Sequence, residues 1–308
     1  MSAPRATIVV TTKDRRGDLQ RLLPTLLAQS AECEVLVVDD GSTDGTADMV
    51  RAEFPEVRLE RSEQSLGYIV QRTRAAELAS APVIVSVDDD AVLPSTRTVE
   101  QTLADFDHPR IGAVAIPFDD VRPDGEFERQ RPPDREGRWV TAAYVGTAHA
   151  VRRDVFLRVG GYWASLLHQV EELDFGLRML GEGYVIRIGR ADPLRHLESP
   201  KRDRERLVTQ TVRNEVLHGW RNVPMPYLPV RWAKVAAASV QIGAHWRAPG
   251  AAARGLWRGA RDSARLRSER DPVARSVYLV HHDIRKRAPL RVEDVESRLP
   301  VIEDSACT

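Results

Sequence analysis

Along the N-terminal third of the chain, short β-branched runs alternate with segments whose apolar residues recur every three or four positions. Residues 6–11 (ATIVVT), 34–38 (EVLVV), 57–60 and 83–87 (VIVSV) read as strands, and the longer runs, apolar on both faces, read as buried. Between them, residues 18–29 place Leu19, Leu22, Leu23, Leu26 and Leu27 at helical spacing. Residues 43–53 read as a helix opened by a Ser/Thr cap, and 67–79 as a third helix. Such strand–helix–strand repeats predict an α/β fold, with a parallel sheet and helices on both its faces. Ligands of such sheets gather at the carboxyl ends of the strands, here just after residues 11, 38 and 87.

After residue 110 the pattern loosens. Residues 111–117 and 184–188 read as strands, 139–151 as strand and turn, and 171–180 as a helix stopped by Gly181 or Gly183. Residues 119–137 are polar and broken by Pro123, Gly125, Pro132 and Pro133, which predicts an exposed loop. Beyond Pro200 the periodicity is helical, over roughly 203–219, 229–246, 249–268 and 272–286. No apolar run reaches the ~18 residues of a spanning helix. Nor is there a basic start followed by an apolar stretch, so the expectation is a cytoplasmic protein, with peripheral contact on the inner membrane face left open.

Composition narrows this little: of 308 residues, 42% are hydrophobic and 29% charged, which is globular. The only cysteines, Cys33 and Cys307, lie near opposite ends, which excludes a disulfide framework and argues against a Cys/His zinc site on spacing. Charge is more telling. The 45 basic and 45 acidic residues cancel, yet residues 1–200 carry 24 basic against 33 acidic, and residues 201–308 carry 21 against 12. Two parts with different partners are expected.

The acidic excess includes the strand ends. Thr11-Thr12-Lys13-Asp14 follows the first strand, Asp39-Asp40-Gly41-Ser42 the second, and Asp88-Asp89-Asp90 the fourth. Neighbouring carboxylates repel by ~1 kcal/mol at ~4 Å even in water, and a buried strand leading into them worsens this. A hard divalent cation, Mg²⁺ or Mn²⁺, relieves it; a solvated acidic turn is the bland alternative. No GxxxxGK[ST] loop, GxGxxG turn or GxSxG elbow occurs. Without a glycine cradle, diphosphate neutralisation falls to a metal, which points to a nucleotide-diphosphate ligand.

In order, TIVVTTKDR, VLVVDDGSTDGTADMV, SLGYIVQRTRAAELA, VIVSVDDDAVLP and VEELDFGLRMLGEGYVI make the sequence resemble inverting family-2 glycosyltransferases of the GT-A fold, over about residues 5–220. The resemblance implies a mixed, mostly parallel sheet flanked by helices, with a helical C-terminal extension. It implies a catalytic domain over 1–220, with a nucleotide-binding half (1–110) and an acceptor half (111–220), and a basic helical region over 221–308. It assigns Thr11 and Asp40 to the nucleobase, Arg72 to the nucleotide, Asp88 and Asp89 to the neighbourhood of the ribose, and Asp90 to the metal. His196 is assigned to the metal or diphosphate. Ser65 and Thr73 stand where the family has asparagines, and Lys13-Asp14 where it has Tyr-Asn. Asp14 and Ser42 could instead cap helices, and Gly41 and Gly45 serve only a turn.

An inverting transfer needs a base for the acceptor hydroxyl. Glu171 and Glu172 open an amphipathic helix, where acids also satisfy the dipole; the family places its base at the second position, here Glu172. Asp174 and Arg178, four apart, read as a structural pair. Trp163 either stacks on a sugar or packs. His108, His149, His168, His218, His245, His281 and His282 have no comparable context.

In the basic tail, Trp232, Val235, Ala236, Ser239, Val240, Gly243 and Trp246 follow one stripe, and Arg254, Arg258, Arg261 and Arg265 another. Such helices either pack on the catalytic domain or lie on anionic lipid. No basic–aromatic platform accompanies the charge, so a nucleic-acid partner is not expected. The sequence therefore predicts metal-dependent, inverting transfer from a nucleotide-diphosphate sugar to an acceptor hydroxyl. Its rivals are a nucleotidyltransferase and a non-catalytic sugar-nucleotide-binding protein.

Overall fold

The computed structural model describes residues 3–197 and 203–302; Cys307 lies outside them. Strands β1 (Ala6–Thr12), β2 (Cys33–Asp39), β3 (Arg58–Arg61) and β4 (Val83–Val87) alternate with helices α1 (Arg16–Leu27), α2 (Thr46–Glu53) and α3 (Tyr68–Leu78). After β5 (Ala91–Val92) and α4 (Thr98–Ala104) come β6 (Ile111–Ala115), β7 (Phe118–Arg122), β8 (Gly125–Arg129), β9 (Trp139–Thr141) and β10 (Ala148–Arg152). Helices α5 (Arg153–Arg158) and α6 (Glu171–Gly181) precede β11 (Val185–Ile188) and β12 (Leu194–Leu197). The chain continues through α7 (Arg204–Asn222), α8 (Tyr227–His245), α9 (Pro249–Arg265), α10 (Arg275–Arg287), β13 (Leu290–Arg291) and α11 (Val292–Val295).

Nine strands form the main sheet, in the order β13-β9-β11-β6-β10-β4-β1-β2-β3. The β-branched runs are buried on both faces, as predicted. Ile8, Val10, Val35, Val37, Val85 and Val87 turn to one core, with Leu19, Leu22, Leu23 and Leu26 of α1. Val9, Leu36, Val38 and Ile84 turn to the other, with Ile69, Ala75 and Ala76 of α3. β1 pairs in parallel with β2 and β4, and β11 with β6. β10 runs the other way between β4 and β6, with Ala148 opposite Val87. That reversal is what brings Gly146 and Thr147 to the carboxyl end of β4, where the Asp88 N–H donates to the Thr147 carbonyl at 3.0 Å.

Two sequence readings change, and two open alternatives are decided. Residues 119–137 are not simply a loop: β7 and β8 form a hairpin in a second sheet ordered β5-β12-β7-β8. Pro123 and Gly125 sit at its turn, so the punctuation marked a reversal of direction rather than an end of pairing. α2 has no Ser/Thr cap; Gly45 precedes it at φ 84°, and the Asp44 carboxylate accepts from the Thr46 N–H at 3.0 Å. Asp14 and Ser42 do not cap helices but tie the first two strand-end loops together: Asp14 N–H donates to Ser42 Oγ at 2.9 Å, and Thr43 N–H to Asp14 Oδ1 at 2.7 Å. Trp163 packs: its Nε1–H donates to Glu269 at 2.6 Å, and Arg221 covers its ring at 4.5 Å.

Part of the region after residue 220 packs into the main core. Val277, Val280 and Ile284 of α10 and Val292 and Val295 of α11 join the same buried cluster as α1, and β13 extends the main sheet beside β9. α9 packs on α7 through Ala251, Ala252, Gly255 and Gly259. A Cβ at Gly255 would stand 2.7 Å from the Thr209 carbonyl, so glycine sets this close approach. On α8 only Val235, Ser239 and Gly243 of the predicted stripe are buried, and Val240 is 71% exposed. Among the described residues, no helix is long and apolar enough to cross a membrane.

Candidate active site

The aspartates after β4 are pulled in different directions. Asp89 accepts from Thr12 Oγ1 at 2.7 Å. Its carboxyl is nevertheless pushed up to about 7, first by burial and then by the charges of Asp90 and Asp88. Asp90 lies 3.2 Å from His196 Nε2, and the other ring nitrogen, Nδ1, is 2.9 Å from Asp120 Oδ1. Burial alone would lower the histidine pKa; the hydrogen bonds and charges of Asp90 and Asp120 outweigh it and raise His196 to about 9. β12 carries His196 beside β7, with His196 opposite Asp120 in register. Asp120 was missed in the sequence because it fell in the segment read as a loop; it is 4% exposed and also binds Arg122.

One ligand atom each from Asp88, Asp90 and His196 lies within 4.8 Å of the others. This donor set fits a hard or borderline divalent cation, with oxygen and imidazole ligands. Asp120 behind His196 completes the carboxylate–histidine arrangement that orients a metal-binding ring.

At the carboxyl end of β2 the picture is the opposite. Asp40 Oδ1 accepts from Leu66 N–H at 2.7 Å and Gln71 Nε2 at 2.6 Å; Oδ2 accepts from Ser65 Oγ at 2.6 Å and Gly67 N–H at 3.1 Å. Burial opposes its charge, but these four donors hold its carboxyl below the usual range. Asp40 therefore clamps the loop leading into α3. Thr11 is partly buried at the end of β1, opposite Val38.

Arg72 of α3 joins the β4 end to α6. Its guanidinium pairs with Asp88, donates to the Gly146 carbonyl at 3.0 Å and lies 4.5 Å above the Tyr68 ring. It is 5% exposed, yet its Nε and Nη1 find no hydrogen-bond partner. Gly146 is the hinge of the arrangement: a Cβ there would stand 2.5 Å from Glu172 Oε1 and 2.8 Å from Arg72 Nη1. Glu172 and Arg72 thus converge on one glycine, next to Asp88. Behind them, Tyr144 and Tyr162 share a 2.7 Å hydrogen bond, and Tyr162 reaches His149 Nε2 at 3.0 Å. Burial and the Arg72 charge hold His149 neutral, well below its ordinary pKa. The sequence offered no signal for this trio, which only the reversed β10 assembles.

Glu171 and Glu172 are consecutive acids at the start of α6, Glu171 buried and Glu172 partly so, and Glu171 Oε2 has no hydrogen-bond partner. Burial, then the charge of Glu172, raises Glu171 well above the carboxylate range. Burial also raises Glu172, against the opposing pull of Arg72. Glu171 is the group that keeps the proton. Asp174 and Arg178 pair at 2.8 Å, as the spacing predicted; burial opposes the Asp174 charge, but Arg178, His218 and Arg221 hold it well below the usual range.

An α/β sheet that gathers carboxylates, a histidine and a buried arginine at its strand ends is a GT-A architecture, and solved structures share it. A mannosyltransferase from Pyrobaculum calidifontis, in complex with GDP-Man and Mn²⁺, superposes with a TM-score of 0.57 at 23% identity, covering 87% of this chain and 79% of that one. GalNAc-T7 with UDP, GalNAc and Mn²⁺ superposes with a TM-score of 0.61 at 14% identity, over 78% of this chain and 51% of that one. Residues 7–164 match the model of glycosyl transferase family 2, and the chain belongs to that family. Validoxylamine A glucosyltransferase of Streptomyces hygroscopicus subsp. jinggangensis (strain 5008) is 36% identical over 119 residues, 37% of this chain and 28% of that protein. This match thus spans under a third of that relative's length. The N-acetylglucosaminyl-diphospho-decaprenol L-rhamnosyltransferase of Mycobacterium tuberculosis (strain CDC 1551 / Oshkosh) is 26% identical over 240 residues, 61% of this chain and 75% of that protein.

Proposed function

We propose that the chain transfers a glycosyl group, with inversion, from a nucleoside-diphosphate sugar to an acceptor hydroxyl, and that Glu172 is the general base. The observation that carries this reading is the convergence of Arg72, Asp88 and Glu172 at Gly146. It sets a basic carboxylate beside the candidate cation ligands. Asp88, Asp90 and His196 would hold Mn²⁺ or Mg²⁺. When bound, the cation would offset the negative charge of the diphosphate.

This chain's own residues would do the rest. Arg72 is the cation beside the candidate cation ligands and suits the charge of a diphosphate, and Thr11 and Asp40 border the space where β1 and β2 end. Asp40 could read a base only by releasing a donor of the 65–67 loop, so we assign it to holding that loop in place for the nucleoside. Glu171, kept protonated by burial, puts no second negative charge beside Glu172, which stays in the accepting form. Glu172 takes the acceptor proton as the acceptor oxygen bonds to the anomeric carbon. The bond from that carbon to the diphosphate breaks on the opposite face, and the electron pair leaves with the nucleoside diphosphate. A raised Glu172 pKa brings the base nearer the working pH, which favours proton transfer.

Glu172→Gln tests the assignment. Donor affinity should persist, while turnover falls by ~10²–10⁴-fold. If Glu171→Gln is the inactive variant and Glu172→Gln stays active, the base is Glu171. Release of pyrophosphate from a donor panel would instead mark a nucleotidyltransferase, and release of nothing a binding protein. The relatives' printed acceptors differ in class, so the acceptor is proposed here only as a hydroxyl.

A further inference from the structure

Away from the sheet edge, α7, α8 and α10 line a half-open pocket of about 210 Å³. Arg231 and Lys234 of α8 face Arg285 and Lys286 of α10 across it, and no carboxylate lines it. Glu215 pairs with Arg231 and so offsets one of these four cations, while Asp283 turns to Arg287 and Arg298. Lys234, Arg285 and Lys286 form no ion pair among the described residues. Deeper in the same cavity lies His281, 3% exposed, whose Nε2 has no hydrogen-bond partner. The Tyr278 side chain lines the wall beside it.

Like charges gathered on a concave surface repel unless an anion joins them, and a concavity focuses their field on one point. Guanidinium forks and ammonium groups together are the donor set that phosphate oxygens select. The volume is below the roughly 300 Å³ at which pockets for drug-sized molecules begin, so a whole nucleotide sugar does not fit. A single phosphate or diphosphate group does.

We propose that this cavity binds a phosphate-bearing anion through Arg231, Lys234, Arg285 and Lys286, at a site separate from the strand ends. The proposal stands whether or not the chain transfers sugars. The site is wedged against the far side of α6: His218, which lines the cavity, has its Nδ1 3.7 Å from Asp174, one turn along the helix that begins with Glu171 and Glu172. The phosphate could belong to a free polyphosphate or to a lipid headgroup, which present the same oxygens to the same cations.

Isothermal titration of the full chain with pyrophosphate, in EDTA, tests it. Wild type and Arg72→Gln should bind alike, which excludes the strand ends, where Arg72 is the cation suited to a diphosphate, as the receptor. The double variant Lys234→Gln/Arg285→Gln should lose about tenfold in affinity or more. Co-sedimentation with phosphatidylglycerol vesicles, set against phosphatidylcholine, forms the second arm. Pyrophosphate binding sensitive to the double variant assigns a free phosphate; vesicle binding sensitive to it, without pyrophosphate binding, assigns a headgroup. Binding of neither, or binding that the substitutions leave unchanged, overturns the site. Lys234→Gln alone, at an exposed position, is read in the same two arms should the double variant fail to fold.

Discussion

The carboxyl ends of β2 and β4 look alike in the sequence, since each is a buried strand running into consecutive aspartates. In three dimensions they are opposites. Asp40 has four donors for its two oxygens and a lowered pKa, and Asp39 accepts from the Ser42 N–H and lies 3.4 Å from Arg61, although its buried Oδ2 makes no hydrogen bond. The β4 end is incomplete. Asp89 is pushed up to about 7, and Asp88 and Asp90 look to Arg72 and His196 for their countercharge. The comparison teaches that an acidic run identifies a site only through its unmet charge. A satisfied aspartate is architecture; a crowded one leaves room for a cation.

Substitutions at the two ends should part accordingly. The largest effect is expected from Asp90→Ala. Removing a group that merely orients a metal ligand typically costs 10–100-fold in affinity, so losing a ligand should weaken Mn²⁺-dependent donor binding by about 100-fold or more. Unchanged metal dependence in a calorimetric titration would place the cation elsewhere. Next comes Asp40→Ala, which orphans the Leu66 and Gly67 N–H groups. It should cost about 1–3 kcal/mol of folding stability, measured by urea unfolding, and weaken nucleoside diphosphate binding as the loop loosens. Full stability with lost nucleoside affinity would instead make Asp40 a direct reader of the base.

The smallest effect should come from Asp89→Asn, measured in EDTA. The Asp89 pKa is raised in the folded state, so its contribution to stability is intact below about pH 4 and is lost as pH rises through about 7. The wild type should therefore weaken between those limits relative to Asp89→Asn. Partial exposure of the group reduces the difference to about 1–2 kcal/mol at pH 8. Asp40→Asn should show no such gain at high pH, since the Asp40 shift has the opposite sign. Parallel pH profiles for wild type and Asp89→Asn would mean that the β4 end carries no unmet charge.

Much of the fold and part of the site are legible in the sequence. The β-branched runs mark the first four strands to within a residue or two, because burial on both faces leaves few other choices. The leucines at 19, 22, 23 and 26 mark the buried face of α1, and the strand-end rule leads to Asp88, Asp90 and Thr12. The hairpin of β7 and β8 is illegible: its strands are short and polar, and β8 is exposed throughout, so no hydrophobic alternation announces it. Asp120 is lost with it. The burial of α10 and α11 in the main core is equally hidden, because charge composition at 221–308 suggests a separate part.

What the sequence by itself determined are the local matters: where strands and helices form, which strand ends are acidic, and which helix opens with paired glutamates. These depend on side-chain periodicity and turn chemistry within a few residues. The tertiary structure decided which carboxylates remain in want of a partner. That depends on long-range neighbours: Gln71 for Asp40, His196 for Asp90, Gly146 between Arg72 and Glu172. Charge is satisfied through space, and the antiparallel insertion of β10 and the pairing of β12 with β7 set the distances on which that satisfaction depends.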